Sequence, residues 1–141
     1  MRHPLLSTTL PACVVSTIYL LFLGYRRDYL GHFAAGYGGT LCAITLLLAA
    51  VPVVAYRRAS SVVPLGCTIV CIFAGAIAEA TVFRLAKFDE IDFCNQSLGA
   101  VLAGLALTRL PATNKPSDQL FVAVIIVGLV FLLIGNYFAL S

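Results

Sequence analysis

Glu79–Gly104, EATVFRLAKFDEIDFCNQSLGAVLAG, holds the pattern that decides how this chain is built. An acid sits near the end of one apolar run, the charged turn Lys87-Phe88-Asp89-Glu90 follows, and a new apolar run opens behind Asp92, Asn95, Gln96 and Gly99. Two helices joined by a short polar turn fit that order, with the turn at a water boundary and the helices in hydrocarbon. The uncharged part of the second helix, Phe93 to Thr108, is short for a span, so thinning, tilt or shielding by neighbours is expected there.

The remainder of the chain repeats this alternation. Of 141 residues, 61% are hydrophobic and 11% charged, and the mean hydropathy is +1.01. A soluble domain of this size has to cover its core with charge, and the long uncharged runs leave nothing to cover it with. The runs match the ~20 apolar residues of a membrane helix, and the alternating ten-residue strands of a barrel are absent. The expected fold is therefore all-α, a single polytopic transmembrane bundle of about five spans, near 5–25, 30–56, 61–85, 92–110 and 119–140.

The net charge of +3 is modest. Arg26/Arg27 and Arg57/Arg58 stand in pairs at the ends of apolar runs, as interfacial anchors and not as a nucleic-acid surface. Cys13, Cys42, Cys67, Cys71 and Cys94 all fall inside apolar segments, which argues for packing and against a disulfide framework. The first run ends abruptly at Arg26-Arg27-Asp28 without a small-residue cleavage site, so it reads as a span and not as a signal peptide. The second opens with Gly31, Ala35 and Gly39 on one stripe, a small-residue face that lets another backbone approach and offers a route to oligomers. Pro52 is expected to bend its far end. Ser60 or Ser61 is expected to cap the third helix, with Pro64 in its first turn. Asp89 or Asp92 starts the fourth, Pro111 ends it, and Asp118 caps the fifth. Asn136 is expected to bond a neighbouring helix.

Arg2, Arg57, Arg58, Arg109 and Lys115 fall on one side of such a bundle, and Arg26, Arg27, Arg84 and Lys87 on the other. This bias favours an amino terminus inside. The acids Asp28, Asp89, Glu90 and Asp92 gather on the second side.

The hairpin order also brings His32, Glu79, Asp92 and Asn95 to one membrane face. Along the fourth helix Asp92, Asn95, Gln96 and Gly99 share a stripe at i, i+3, i+4 and i+7. Along the third, Cys67, Cys71, Gly75 and Glu79 form a smooth stripe that leads to one carboxyl group. An acid at lipid depth costs about 2.5–3.5 kcal/mol on insertion scales and so tends to face the bundle interior. Three readings of Glu79 follow: a structural bond to another helix, a functional pocket with His32 and Asp92, or snorkelling to the interface. Arg84 and Lys87 are head-group anchors or hold a lipid phosphate against the pocket. The candidate ligand-binding set is Asp28, His32, Glu79, Arg84, Lys87, Asp92, Asn95 and Gln96, and His32, Glu79 and Asp92 are the candidates for catalysis. No cofactor is indicated. A mixed His/Glu/Asp/Asn set is compatible with a divalent metal but does not specify one.

DYLGHFAAGYGG, then Glu79, then FDEIDFCNQSLGAVLAG resembles the VanZ-like family of small bacterial membrane proteins. That family opens one helix with Asp-Lys-x-x-His-Phe and places a Glu in the next. About a dozen residues later it begins another helix with Asp-x-x-Asn-x-x-x-Gly. Asp28, His32, Phe33, Glu79, Asp92, Asn95 and Gly99 fit; Tyr29 stands in place of the lysine, and Val82 where a Gln commonly follows the Glu. The resemblance covers roughly Asp28 to Leu110. It implies a cell-envelope protein of the bacterial inner membrane, with some relatives linked to resistance against lipoglycopeptides such as teicoplanin.

Three functions compete. The first is recognition of a lipid head group or lipid-linked precursor, with phosphate contacts from Arg84, Lys87 and Arg27. The second is an intramembrane hydrolase or transferase with His32 or Glu79 as general base and Asp92 as its positioning group. The third is a proton-coupled carrier titrating at Glu79, which five spans without a repeat disfavour.

Overall fold

The computed structural model describes residues 4–81, 89–109 and 115–139, and within them the chain is helical throughout its ordered elements. These are α1 (Pro4–Phe22), α2 (Arg27–Ala50), α3 (Val53–Thr81), α4 (Glu90–Thr108) and α5 (Asp118–Ala139). Each is long and apolar enough to cross a membrane. The expected bundle of about five transmembrane helices is what forms. Large apolar side chains point outward, with Val54 96% and Leu21 74% exposed. That surface suits hydrocarbon and not water.

The bundle is organised around α2, where 61% of an 18-residue apolar stretch is buried, against at most 33% of the corresponding stretch of any other helix. Lipid tails are as apolar as leucine, so helices in a bilayer associate through close backbone approach and not through hydrophobic burial. The small residues of α2 supply that approach on two faces. Toward α5, a Cβ on Gly31 would overlap the backbone of Phe138 and Ala139, and one on Gly135 would overlap that of Ala35. Toward α4, a Cβ on Gly36 would strike the Gln96 carbonyl, and one on Gly99 the Phe33 carbonyl. The Gly31/Ala35 stripe is thus taken up within the chain by α5, and Gly39 meets only the Leu132 side chain. Larger side chains fill the layer beneath. Phe33, Tyr37, Leu41 and Ile44 are fully buried, and the Tyr37 ring lies 6.3 Å from Phe33 and edge-on to Phe131 at 5.2 Å.

Several boundaries differ from expectation, each for a local reason. α2 ends at Ala50 instead of continuing past Pro52, because the residue before a proline is driven to extended backbone. Val51 has ψ 133°. Pro52 therefore separates two helices instead of bending one, and α3 starts at Val53, placing Arg57, Arg58 and Pro64 inside it. Ser60 does not cap; its hydroxyl donates to the Arg57 carbonyl at 3.0 Å. At 29 residues, or roughly 43 Å, α3 exceeds a ~30 Å hydrocarbon layer, so its arginine-bearing start reaches the interface. Of the two candidates, Asp89 caps α4, accepting from the amides of Ile91 and Asp92 at 2.8 and 3.3 Å. α4 ends at Thr108, and Pro111 lies outside the described residues. Asp118 is the first residue of α5, and Ser117 accepts the Leu120 and Phe121 amides at 3.0 and 3.2 Å through its carbonyl. Among the described residues Asn136 bonds no neighbouring helix: its amide donates to the Leu132 carbonyl of its own helix at 2.9 Å.

One contact was invisible in the sequence. The Lys115 ammonium donates to the Ala49 and Val51 carbonyls at 2.7 and 2.8 Å, closing the open end of α2 where the helix dipole is negative. Lys115→Met is expected to destabilise the folded protein by about 1–3 kcal/mol. Denaturant unfolding in micelles, followed by circular dichroism, measures it.

Candidate functional site

The site lies at the end of the bundle where α2 and α4 begin and α3 ends. Because successive spans run in opposite directions, residue 32 near the start of α2, residue 79 near the end of α3 and residue 92 near the start of α4 reach the same level. The Gly36 and Gly99 contacts draw α2 and α4 together there, so short side chains can meet. His32 Nε2 lies 3.4 Å from Asp92 Oδ2, with both side chains largely buried at 14% and 15% exposure. This is ion-pair distance when the imidazole is protonated. The Asp92 carboxylate is also within electrostatic range of Asp28, Glu79, Asp89 and Arg26.

α4 turns its expected face inward. Ile91, Cys94 and Leu98 are exposed, whereas Asp92, Asn95, Gln96 and Gly99 are buried or half-buried. The Tyr19 hydroxyl of α1 donates to Asn95 Oδ1, tying the first span to the site. Gln96 lies against Gly75 of α3, where any side chain would overlap its amide. Glu79 is 7% exposed, and among the described residues its carboxyl accepts no hydrogen bond. Two atoms at the centre are buried without a partner in the described residues, namely Asp92 Oδ1 and Asn95 Nδ2. Buried polar atoms are normally satisfied, and one acceptor beside one donor is the arrangement that a hydroxyl or amine fills.

Asp28 stands apart from this cluster. Its carboxylate pairs with Arg26 at 2.9 Å and lines a cleft with Arg27 and the end of α5. The hydrogen bond from Arg26 to Asp28 raises the guanidinium above its ordinary pKa, and Arg26 also stacks 4.0 Å over the Tyr29 ring. Arg84, Lys87 and Arg2 lie outside the described residues. His32, Glu79, Asp92, Asn95 and Gln96 thus converge, and Asp28 belongs to the rim. Among the described residues no three His, Cys, Asp or Glu side chains form a metal-ligating group, and the five cysteines are free thiols.

Tyr19 is the site residue that the sequence reading missed. It lies 76 residues from Asn95, and its only signal was a phenol placed among aliphatic side chains in the first span. Tyr19→Phe is expected to lower stability by about 1 kcal/mol and to leave Asn95 without its donor. Thermal unfolding of the variant in micelles checks this.

Comparison with family models, characterised proteins and solved structures finds no match, so the likeness to VanZ-like proteins rests on the motif residues alone.

Proposed function

We propose that this chain is a cell-envelope membrane protein, of the VanZ-like kind, that recognises the polar head of a lipid or lipid-linked precursor at one face of the bilayer. The observation that carries the reading is the pair of unpartnered buried atoms, Asp92 Oδ1 and Asn95 Nδ2, beside the His32–Asp92 contact. An acceptor, a donor and an imidazole with Glu79 nearby match the hydroxyls or amine of a head group better than its phosphate. Phosphate contacts fall to Arg84 and Lys87 in this reading. Placement in the bacterial inner membrane with the amino terminus inside follows from the resemblance and from the distribution of arginines and lysines.

The His32–Asp92 contact also favours a second reading. A carboxylate that orients an imidazole is the usual arrangement of a general base, and a lipid-linked substrate would then be cleaved or transferred. One experiment separates the two. Purified protein is incubated with a polyprenyl phosphate and with a polyprenyl-linked sugar, with and without chelator. Saturable binding without turnover, weakened in Asp92→Asn, is the expected result. Turnover that vanishes in Glu79→Gln would establish the enzyme instead. Wild-type binding of both lipids in Asp92→Asn would remove the head-group reading.

A further inference from the structure

We infer that the crevice between α1, α2 and α5 holds one acyl chain of a phosphate-headed membrane lipid, with Arg27 at its mouth. This inference is independent of the His32 cluster, which lies on the α4 side of α2.

Tyrosines pin α1 at two levels: Tyr37 donates to the Thr8 carbonyl and Tyr19 to Asn95. Between those levels a crevice of about 520 Å³ separates α1 from α5, with Leu30 and Ala34 of α2 as its floor. Its α1 wall runs from Thr9 to Leu20 and its α5 wall from Ile126 to Phe138, which is roughly 17–18 Å of helix at 1.5 Å per residue. One leaflet of a ~30 Å hydrocarbon layer is about 15 Å deep. The groove is therefore about one leaflet long, and it ends at Leu20 and Phe138, on the level where α2 begins.

The wall is more apolar than its residue names imply. The Thr9 and Thr17 hydroxyls donate to the Leu5 and Cys13 carbonyls of their own helix, each at 2.8 Å. That leaves the Ser16 hydroxyl and the Cys13 thiol as the polar groups of a lining that is otherwise aliphatic and aromatic, too few to hold a cluster of waters. At bilayer depth the molecule available to fill it is a hydrocarbon chain.

Phe138 lines a second cleft of about 600 Å³ as well, together with Tyr25, Arg27 and Asp28. The apolar groove and the charged cleft thus adjoin at one ring. Within the cleft Asp28 is engaged by Arg26, whereas Arg27 is exposed and forms no ion pair among the described residues. An uncommitted guanidinium above a tail-sized groove is complementary to a lipid phosphate.

The test uses the full chain, delipidated in detergent and titrated with dioleoylphosphatidylglycerol or with dioleoylglycerol, which has the same tails and no phosphate. Native mass spectrometry reads the lipid retained. Wild type is expected to hold one phosphatidylglycerol. Ser16→Phe and Val130→Phe, each of which fills the groove, are expected to weaken it at least tenfold, and the outward-facing Leu133→Phe to leave it unchanged. Arg27→Gln is expected to weaken phosphatidylglycerol at least fivefold and dioleoylglycerol not at all. Circular dichroism confirms that each variant is folded. Retention by both groove-filling variants at the level of Leu133→Phe would overturn the groove, and undiminished phosphatidylglycerol binding by Arg27→Gln would overturn the phosphate assignment.

Discussion

Gly99→Ala is expected to lower the stability of the folded protein by about 3 kcal/mol. The new Cβ would overlap the Phe33 carbonyl oxygen and lie 2.7 Å from the Tyr37 amide nitrogen. Both are backbone atoms of the central helix, so no side chain can rotate away, and α2 and α4 must move apart. That movement separates His32 from Asp92, whose contact depends on the same close approach. Gly66→Ala is the matched control, since nothing lies within 4 Å of its Cβ position. There the substitution is expected to be neutral or to stabilise by up to about 1 kcal/mol through helix propensity alone. Denaturant unfolding of both variants in the same micelles measures the difference. Equal stabilities would mean that α2 and α4 are not in backbone contact.

Asp92→Ala is the substitution expected to remove most ligand recognition, with an affinity loss of one to two orders of magnitude at about 1.4 kcal/mol per tenfold. It deletes the partner of His32 and the unpartnered acceptor Oδ1 together. It leaves the cap of α4 in place, because Asp89 and not Asp92 accepts the first amides of that helix. Helix content is therefore expected to stay constant while binding of a polyprenyl-linked sugar falls, and this split distinguishes a site residue from a structural one. Isothermal titration with the detergent-solubilised protein reads the affinity, and circular dichroism reads the fold. Asp92→Asn keeps the shape and removes the charge, so its smaller or equal loss reports how much of the recognition is ionic.

The bundle was legible because hydrocarbon immersion leaves a coarse signal: long uncharged runs, punctuated by paired arginines. The inward face of α4 was legible for a similar reason, since Asp92, Asn95, Gln96 and Gly99 recur at helical spacing with Ile91, Cys94 and Leu98 between them. The hairpin order then brought His32 and Asp92 to one level without knowledge of the packing angles. Helix ends were less legible. A proline within an apolar run suggests a bend, but the extended backbone that Pro52 imposes on Val51 makes it a break. Asn136 was expected to bond across helices, but a side chain on the lipid face has only its own backbone within reach. Tyr19 and Lys115 were missed because their partners are set by tertiary approach across 76 and 64–66 residues. No local pattern announces such a contact.

The central claim is that the second and fourth spans deliver His32 and Asp92 to one point in the membrane. Its most direct test replaces the five native cysteines, introduces His32→Cys with Asp92→Cys, and treats intact membranes with a short thiol-to-thiol crosslinker such as dibromobimane. The pair is predicted to crosslink within a single chain, as read by the mass of the peptide bridging α2 and α4, whereas Arg58→Cys with Asp92→Cys, at opposite ends of the bundle, is predicted not to. Absence of the 32–92 bridge under conditions that label both thiols singly would contradict the account.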